Sequence, residues 1–449
     1  MMASVDGPVT VDGSLLEGGG QIVRVAAALS AATGRVVRVD NVRAGRPKPG
    51  LAAQHLAGLR LAAEVCGGRL VTPTEEEYGE VKVGSIAFVL NPGSVRETAM
   101  ANAGVGETNE SGDVESESKK IKIATHVSDV RTAGAVSLVA QTIVPVVAYS
   151  PVVTVITLTG GTDVSSAPPI GYVQNCLAPV LKKHLDLEIN CHVNKRGYFP
   201  KGGGEVVLTV VPRRQVSSGE SGSNAAPPIY PPFVIERKRA GRGGNSEPAK
   251  LGCWIINGTS DGKRQQTESR AAAQSAFRVL LNNSPTIAIA AEAMAKAGVP
   301  VDVKTLVEPG TGDGGSVVLT ARSVDDTVTL CAAKVFSPPR SADANERLKL
   351  LIECASECGE DLAALVESGA AVDANLLDQL IVFMALADGR DGQKSRVIAK
   401  APISLHAETA IQVCEHVCGA RFFVLQGEDG GVGKGLCAVE CVGVGGRVG

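Results

Sequence analysis

The 449-residue chain has no apolar run long enough to cross a bilayer: the longest, 143–149 and 151–158, are broken by proline and small polar residues. Residues 1–13 lack the basic region followed by an apolar stretch that marks a secretory signal. The expectation is therefore a protein without membrane contact that stays inside the cell. Nucleus and cytosol are not separated, because Lys238-Arg239 with Arg242 is too short for a basic import signal. Charge of either sign is also nearly absent in the balance, at −3, which excludes a basic nucleic-acid coat and leaves any such contact to a local patch. The chain contains neither GxGxxG with a ribose-binding acid nor GxxxxGK[ST], so Rossmann and P-loop sites lack support. CxxC pairs are missing too. Eleven scattered cysteines in an unexported chain imply reduced thiols. The pairs Cys354/Cys358, Cys414/Cys418 and Cys437/Cys441, four apart, read as buried apolar thiols rather than a zinc site.

What is present is repetition. Two polar stretches read as solvated insertions that cannot bury enough to order themselves: acidic 102–118, and 215–232, rich in Ser, Gly, Asn and Pro. With these set aside, one grammar recurs three times: Gly-rich loop, apolar helix, β-branched strand, a loop with Gly or Pro, second helix, then another strand. The first copy is Glu17-Gly18-Gly19-Gly20, helix 21–32, strand 36–42, loop 43–50 and helix 51–66. In the second, Thr132-Ala133-Gly134 leads to helix 135–147, strand 152–158, loop 160–169 and helix 170–184. The third has helix 374–387, strand 395–399, helix 406–418 and strand 421–425. The fold expected is α/β (α+β), a pseudo-threefold repeat of sheet-plus-two-helix units with sheets inside and helices packed on them. Residues 1–234 would hold the first two repeats and 371–449 the third. Between them 235–370 departs from the grammar and reads as a smaller inserted α/β domain, with strands near 252–256, 301–306 and 316–321 and helices at 268–281, 287–297 and from Asn345.

Several runs carry candidate chemistry. Gly18-Gly19-Gly20 before a helix is either a tight turn or a phosphate-facing N-terminus. Arg24 stands a turn further on. Arg43, Arg46 and Lys48 fall in a loop stiffened by Pro47 and Pro49 and loosened by Gly45 and Gly50, which suits phosphate oxygens or simply a solvated basic loop. Gln54-His55 opens the next helix, where a histidine is more often structural. The most specific run is Arg196-Gly197-Tyr198-Phe199-Pro200-Lys201-Gly202-Gly203-Gly204-Glu205-Val206.

That run resembles the RGxxPxGGGxV signature of the RNA 3′-terminal phosphate cyclase family. The resemblance extends through nearly the whole chain outside the polar insertions, in EGGGQIVR (17–24), RAGRPKPG (43–50), GGTD (160–163) and LLDQLIVFMALA (376–387). It implies an ATP-dependent enzyme acting on RNA with a 3′-phosphate end, using Mg²⁺ or Mn²⁺. The implied nucleophile is His406, and a helix N-terminus there would favour the neutral, nucleophilic ring. The implied ATP-binding residues are Gln141, Pro168, Asp378 and Gln379 together with His406. Phosphate and RNA-end binding carries over to Arg24, Arg43, Arg46, Gln54 and His55, and Glu17 is the implied metal ligand. The sequence departs from the family at Asn375, where an aromatic residue able to stack on adenine is usual.

The resemblance implies attack of His406 on the α-phosphorus of ATP, passage of AMP to the RNA 3′-phosphate, and closure by the 2′-hydroxyl. A catalytically inactive, cyclase-like ribosome-assembly protein would share the fold but lack the nucleophile. An enolpyruvyl-transferase-like enzyme also uses repeated α/β units without a P-loop, yet needs no histidine nucleophile and no RGxxPxGGGxV run. The sequence leaves oligomeric state, RNA substrates and metal preference open.

Overall fold

The computed structural model describes residues 7–73, 79–107, 120–165, 167–213, 228–237, 248–257, 262–296, 302–306, 310–311, 313–339 and 341–446. The first repeat comprises β1 (Val9–Asp12), α1 (Gly20–Thr33), β2 (Val37–Asp40), α2 (Ala53–Cys66), β3 (Arg69–Thr72), β4 (Gly79–Glu80), β5 (Phe88–Asn91) and α3 (Val95–Asn102). In the second are β6 (Gly104–Glu107), β7 (Lys120–Asp129), α4 (Val136–Val147), β8 (Val153–Gly160), α5 (Ile170–Tyr172), α6 (Ala178–Leu185), β9 (Glu188–Gly197) and β10 (Gly204–Val211). The short β11 (Val234–Ile235) follows, and next comes the insertion: β12 (Pro248–Asn257), α7 (Gly262–Asn283), α8 (Pro285–Lys296), β13 (Asp302–Leu306), β14 (Gly310–Thr311), β15 (Gly315–Ser323), β16 (Thr329–Phe336) and α9 (Ala344–Ser368). Then α10 (Ala374–Leu386), β17 (Ser395–Lys400), α11 (Leu405–Cys418), β18 (Arg421–Gln426) and β19 (Leu436–Val442) complete the third repeat.

The sheet orders expose the repeat. Each repeat's sheet contains the same four-strand core, β1-β2-β5-β3, β7-β8-β10-β9 and β11-β17-β19-β18, its first two strands parallel and the rest antiparallel, with β4 added to the first sheet and β6 and β14 to the edges of the second. Each unit is thus βαβαββ, with an opening strand that the sequence grammar does not contain. In the third copy that strand, β11, stands ahead of the insertion and pairs with β17, so the insertion interrupts the unit between its first strand and first helix. The insertion sheet, β13-β12-β15-β16, has another topology, since its first strand rather than its second joins the antiparallel pair.

The expected layering is reversed. Helices α1, α4 and α10 are buried at almost every position and pack against one another at the centre. Strands such as β8 (VTVITLTG) and β10 alternate half-buried and buried residues, so each sheet turns one face inward to the helices and the other outward. Helices apolar on every side need helical neighbours all round, whereas an alternating strand can bury one face only.

Two further expectations change. Residues 104–107 of the acidic stretch form β6, paired with Lys120–Ile123, because an edge strand is held by backbone hydrogen bonds and needs no apolar side chains; 108–118 lie outside the described residues. Within the second polar stretch, 215–227 lie outside the described residues, but Tyr230 is a core residue whose hydroxyl donates to Ala148 O at 2.7 Å. The helix expected at 170–184 is interrupted by a π turn, 173–177. Pro179 has no N–H to give Asn175 four residues back, and Arg322 of β15 donates to that carbonyl instead at 2.7 Å. Further contacts dock the insertion on the second repeat: β14 pairs with β9, and Ser316 Oγ donates to Asp163 at 2.6 Å. Among the described residues no disulfide links the cysteines, and most of them are buried. Among the described residues no helix is long and apolar enough to span a membrane, and no group of three or more His, Cys, Asp or Glu could hold a metal.

Candidate active site

Helices α1 and α11 run side by side in the same direction. At one end Glu17 N donates to Thr409 Oγ1 at 3.3 Å, and at the other Arg35 Nη1 donates to Val417 O at 3.1 Å. Their positive ends therefore share one side of the molecule, and the first turn of α2 joins them through His55. His406 is the second residue of α11, exposed, in a turn capped by Ser404 Oγ accepting from Ala407 N at 3.1 Å. Thr409, on the next turn, is the residue that holds the Glu17 loop.

The glycine run makes room for side chains rather than presenting bare amides. A Cβ at Gly19 would overlap the Glu17 carboxylate, and one at Gly20 would overlap His55 Nε2 and stand 2.8 Å from Arg24 Nη1. Arg46 reaches across to Glu17, pairing with its Oε1 and donating to its backbone carbonyl at 3.1 Å. Glu17 Oε2 is buried with no hydrogen-bond partner. His55 Nδ1 accepts from Ala52 N at 3.2 Å, which puts the ring proton on Nε2. Burial, with Arg24 and Arg43 nearby, depresses His55 to about 3, so it stays a neutral donor. Arg43, in the left-handed region at φ 55°, donates to Gly50 O at 2.9 Å and is itself lowered by burial and by Arg46.

Beneath lies a small cavity where α1, α4 and α10 meet, lined among others by Gln21, Arg24, Gln141, Asp378 and Gln379. These polar side chains stand on helices that are otherwise almost wholly apolar and buried. Arg24 donates to Gln21, yet its Nε, Asp378 Oδ1 and Gln379 Oε1 are buried without partners. Buried polar atoms are paired in all but a few cases, so four orphans around one locus, counting Glu17 Oε2, point to a ligand. Asn375 is exposed one turn before Gln379, and its carbonyl accepts from Gln379 Nε2 at 2.7 Å. Burial raises Asp378 to about 7, opposed by Arg24 and reinforced by Asp373.

A carboxyl raised in the folded state stabilises the fold while protonated. Its contribution is complete below the ordinary value of 3.8 and is lost as pH climbs through about 7. Asp378→Asn is accordingly expected to melt progressively higher relative to the wild type as pH rises from about 4 to about 7. Paired thermal melts across that range would check it; parallel curves would count against the buried, raised carboxyl.

The sequence-derived residues therefore fall into one neighbourhood, with distinctions. Glu17, Arg24, Arg46 and His55 cluster at the ends of α1 and α2, beside the helix of His406. Gln141, Asp378 and Gln379 line the cavity. Gln54 and Arg43 line instead an adjoining groove between the first two repeats. Pro168 is not among the cavity residues: its carbonyl accepts from Ser137 Oγ at 2.6 Å, fastening that turn to α4. Sequence reasoning missed Gln21, whose signal was its place three residues before Arg24 on one helix face.

A family model described as RNA 3′-terminal phosphate cyclase matches residues 15–424, which hold the insertion and all of the repeats except β1, β19 and the end of β18. The chain belongs to this family. Similar proteins, each named RNA 3′-terminal phosphate cyclase, include one from Pyrobaculum neutrophilum, 32% identical over 92% of this chain and 94% of the relative. Another from Archaeoglobus fulgidus is 32% identical over 85% and 88%, and a bacterial one from Nitrosospira multiformis is 30% identical over 93% of each chain. The cyclase signature itself holds a structural element. Arg196 is wholly buried against Asp163 of the GGTD run, at 3.2 Å, and is not a ligand-facing cation.

Proposed function

We propose that the chain is an ATP-dependent RNA 3′-terminal phosphate cyclase in which His406 is the nucleophile and carries AMP between ATP and the RNA end. The observation that carries this reading is the group of orphaned buried atoms on Glu17, Arg24, Asp378 and Gln379 beside the helix that bears His406. The two acceptors, Asp378 Oδ1 and Gln379 Oε1, suit hydroxyl or amino groups of a nucleoside, with Gln141 on the facing helix. Arg24 Nε, Arg43, Arg46 and His55 Nε2–H suit phosphate oxygens.

In the first step a ring nitrogen of His406 attacks the α-phosphorus, the bond to the bridging oxygen breaks, and pyrophosphate leaves. The arginines offset charge on the departing oxygens. An oxygen of the RNA 3′-phosphate then attacks the same phosphorus, releasing the histidine and forming a mixed anhydride. Finally the adjacent 2′-hydroxyl, losing its proton, attacks the 3′-phosphorus and expels AMP, leaving the 2′,3′-cyclic phosphate. Glu17 Oε2 is the ligand this chain offers to Mg²⁺ or Mn²⁺, which when bound neutralises phosphate charge; one carboxylate suffices only where substrate phosphates complete the coordination. Asn375 supplies no aromatic face, so adenine recognition falls to the helix polar groups.

The test is incubation of the protein with ATP labelled at the α-phosphate and either metal, then with RNA bearing a 3′-phosphate. Expected are an acid-labile, alkali-stable protein label, absent with γ-labelled ATP, and RNA ends that become resistant to phosphatase. A folded protein that takes no label and leaves the ends sensitive would move the reading to a non-catalytic, cyclase-like scaffold.

A further inference from the structure

The groove adjoining the site is open, about 630 Å³, and runs between the loop from Arg43 to Gln54 and the loops 132–135 and 199–200. Its polar wall carries Arg43, Lys48 and Gln54. Among the described residues no carboxylate lines it, although acids outnumber bases in the chain. Across from this wall stands Phe199, 71% exposed, the most exposed large apolar side chain among the described residues. The backbone on either side of it is anchored. Tyr198 is buried, its carbonyl accepts from Gly202 N at 2.8 Å, and Gly202, at φ 64°, sits too close to the Thr132 carbonyl to carry a Cβ. An exposed aromatic face lining the same groove as Arg43 and Lys48 combines the two features with which proteins hold single-stranded nucleic acid, a base-stacking platform and cations for the backbone. The groove also opens onto the phosphate cluster: Gln54 precedes His55, and Arg43 acts electrostatically on His55.

We infer that this groove is the track for single-stranded RNA leading to its 3′ end, with a base near the terminus stacked on Phe199 and its backbone phosphate on Lys48 and Arg43. Stacking on an aromatic face is tolerant of base identity, so the track would accept many RNA sequences. The inference rests on the reading that the chain acts on RNA, and its test is separable from the test of catalysis.

The measurement is binding of 3′-phosphorylated oligoribonucleotides of one to five nucleotides to the full-length protein, by fluorescence anisotropy or competition. Wild-type affinity should rise once the oligonucleotide is long enough to reach Phe199. Phe199→Ala should flatten that gain, weakening the longer oligonucleotides by about tenfold or more, and Phe199→Trp should restore it. A 2-aminopurine at the penultimate position should be quenched by the wild type and not by Phe199→Ala, a signature that a merely structural role would not produce. Superimposable binding of wild type and Phe199→Ala at every length overturns the proposal, as does a wild type that binds none of the oligonucleotides. A wild type that binds them through Phe199 but takes no label from ATP would support the track and remove the catalytic reading.

Discussion

His406→Ala is expected to abolish the covalent protein–AMP adduct and to lower cyclisation of RNA 3′-phosphate ends by a factor on the order of 10⁴ or more, the scale seen when a nucleophile is deleted. The loss should be chemical rather than structural. His406 is exposed near the start of α11, and the cap that secures this turn is made by Ser404. Surface changes of that kind usually shift stability by less than about 0.5 kcal/mol. ATP should still bind, since Gln141, Asp378, Gln379 and Arg24 are untouched. The sharper expectation concerns the order of events. In His406→Ala, RNA supplied already carrying the 3′-adenylate should still cyclise at near the wild-type rate, because the 2′-hydroxyl attack needs no histidine. Rapid quench with chemically adenylylated RNA, run beside labelling with ATP, would check both halves. A variant that cyclises unadenylylated ends at an appreciable rate would remove His406 from the mechanism.

Much of this architecture is legible in the sequence for identifiable reasons. Helices α1, α4 and α10 are long apolar segments with clear stops, Gly34 in the left-handed conformation after α1 and Asp373 capping α10, so their existence follows from local pattern. Their inward position does not, because a segment apolar on every side looks alike between helices and beneath a sheet. The opening strands β1 and β11 are four and two residues long, too short for periodicity, and β11 is separated from its repeat by the insertion. Arg24 is legible as a cation a turn beyond a glycine run, whereas Gln141, Asp378 and Gln379 come from the family resemblance and not from local pattern. Their division into cavity and groove was hidden, since it depends on which helix faces which. The role of Arg196 is not legible in the sequence either, because only the fold brings it against a carboxylate 33 residues earlier.

That partnership yields the other large effect. Asp163 accepts from Arg196 Nη1 at 3.2 Å, from Thr162 Oγ1 at 2.7 Å and from Ser316 Oγ at 2.6 Å, and neither member of the ion pair is exposed. Asp163→Ala would remove the carboxylate that faces the buried Arg196 guanidinium, and breaking a buried pair by deleting one partner is expected to destabilise by about 3–5 kcal/mol. It would also release Ser316, loosening the insertion from the second repeat. Because the chain contains more than one folding unit, the appropriate readout is the apparent midpoint of urea unfolding, with limited proteolysis to locate what opens first. A buried pair of this kind contributes little net stability relative to an apolar replacement of similar volume, whereas deleting one member is costly. The double variant Asp163→Leu with Arg196→Met should therefore recover a substantial part of what Asp163→Ala loses. If the double variant is no better than the single one, the essential contribution of Asp163 is its hydrogen bonds to Thr162 and Ser316, and the cyclase signature would be fixed in place by that network more than by its arginine.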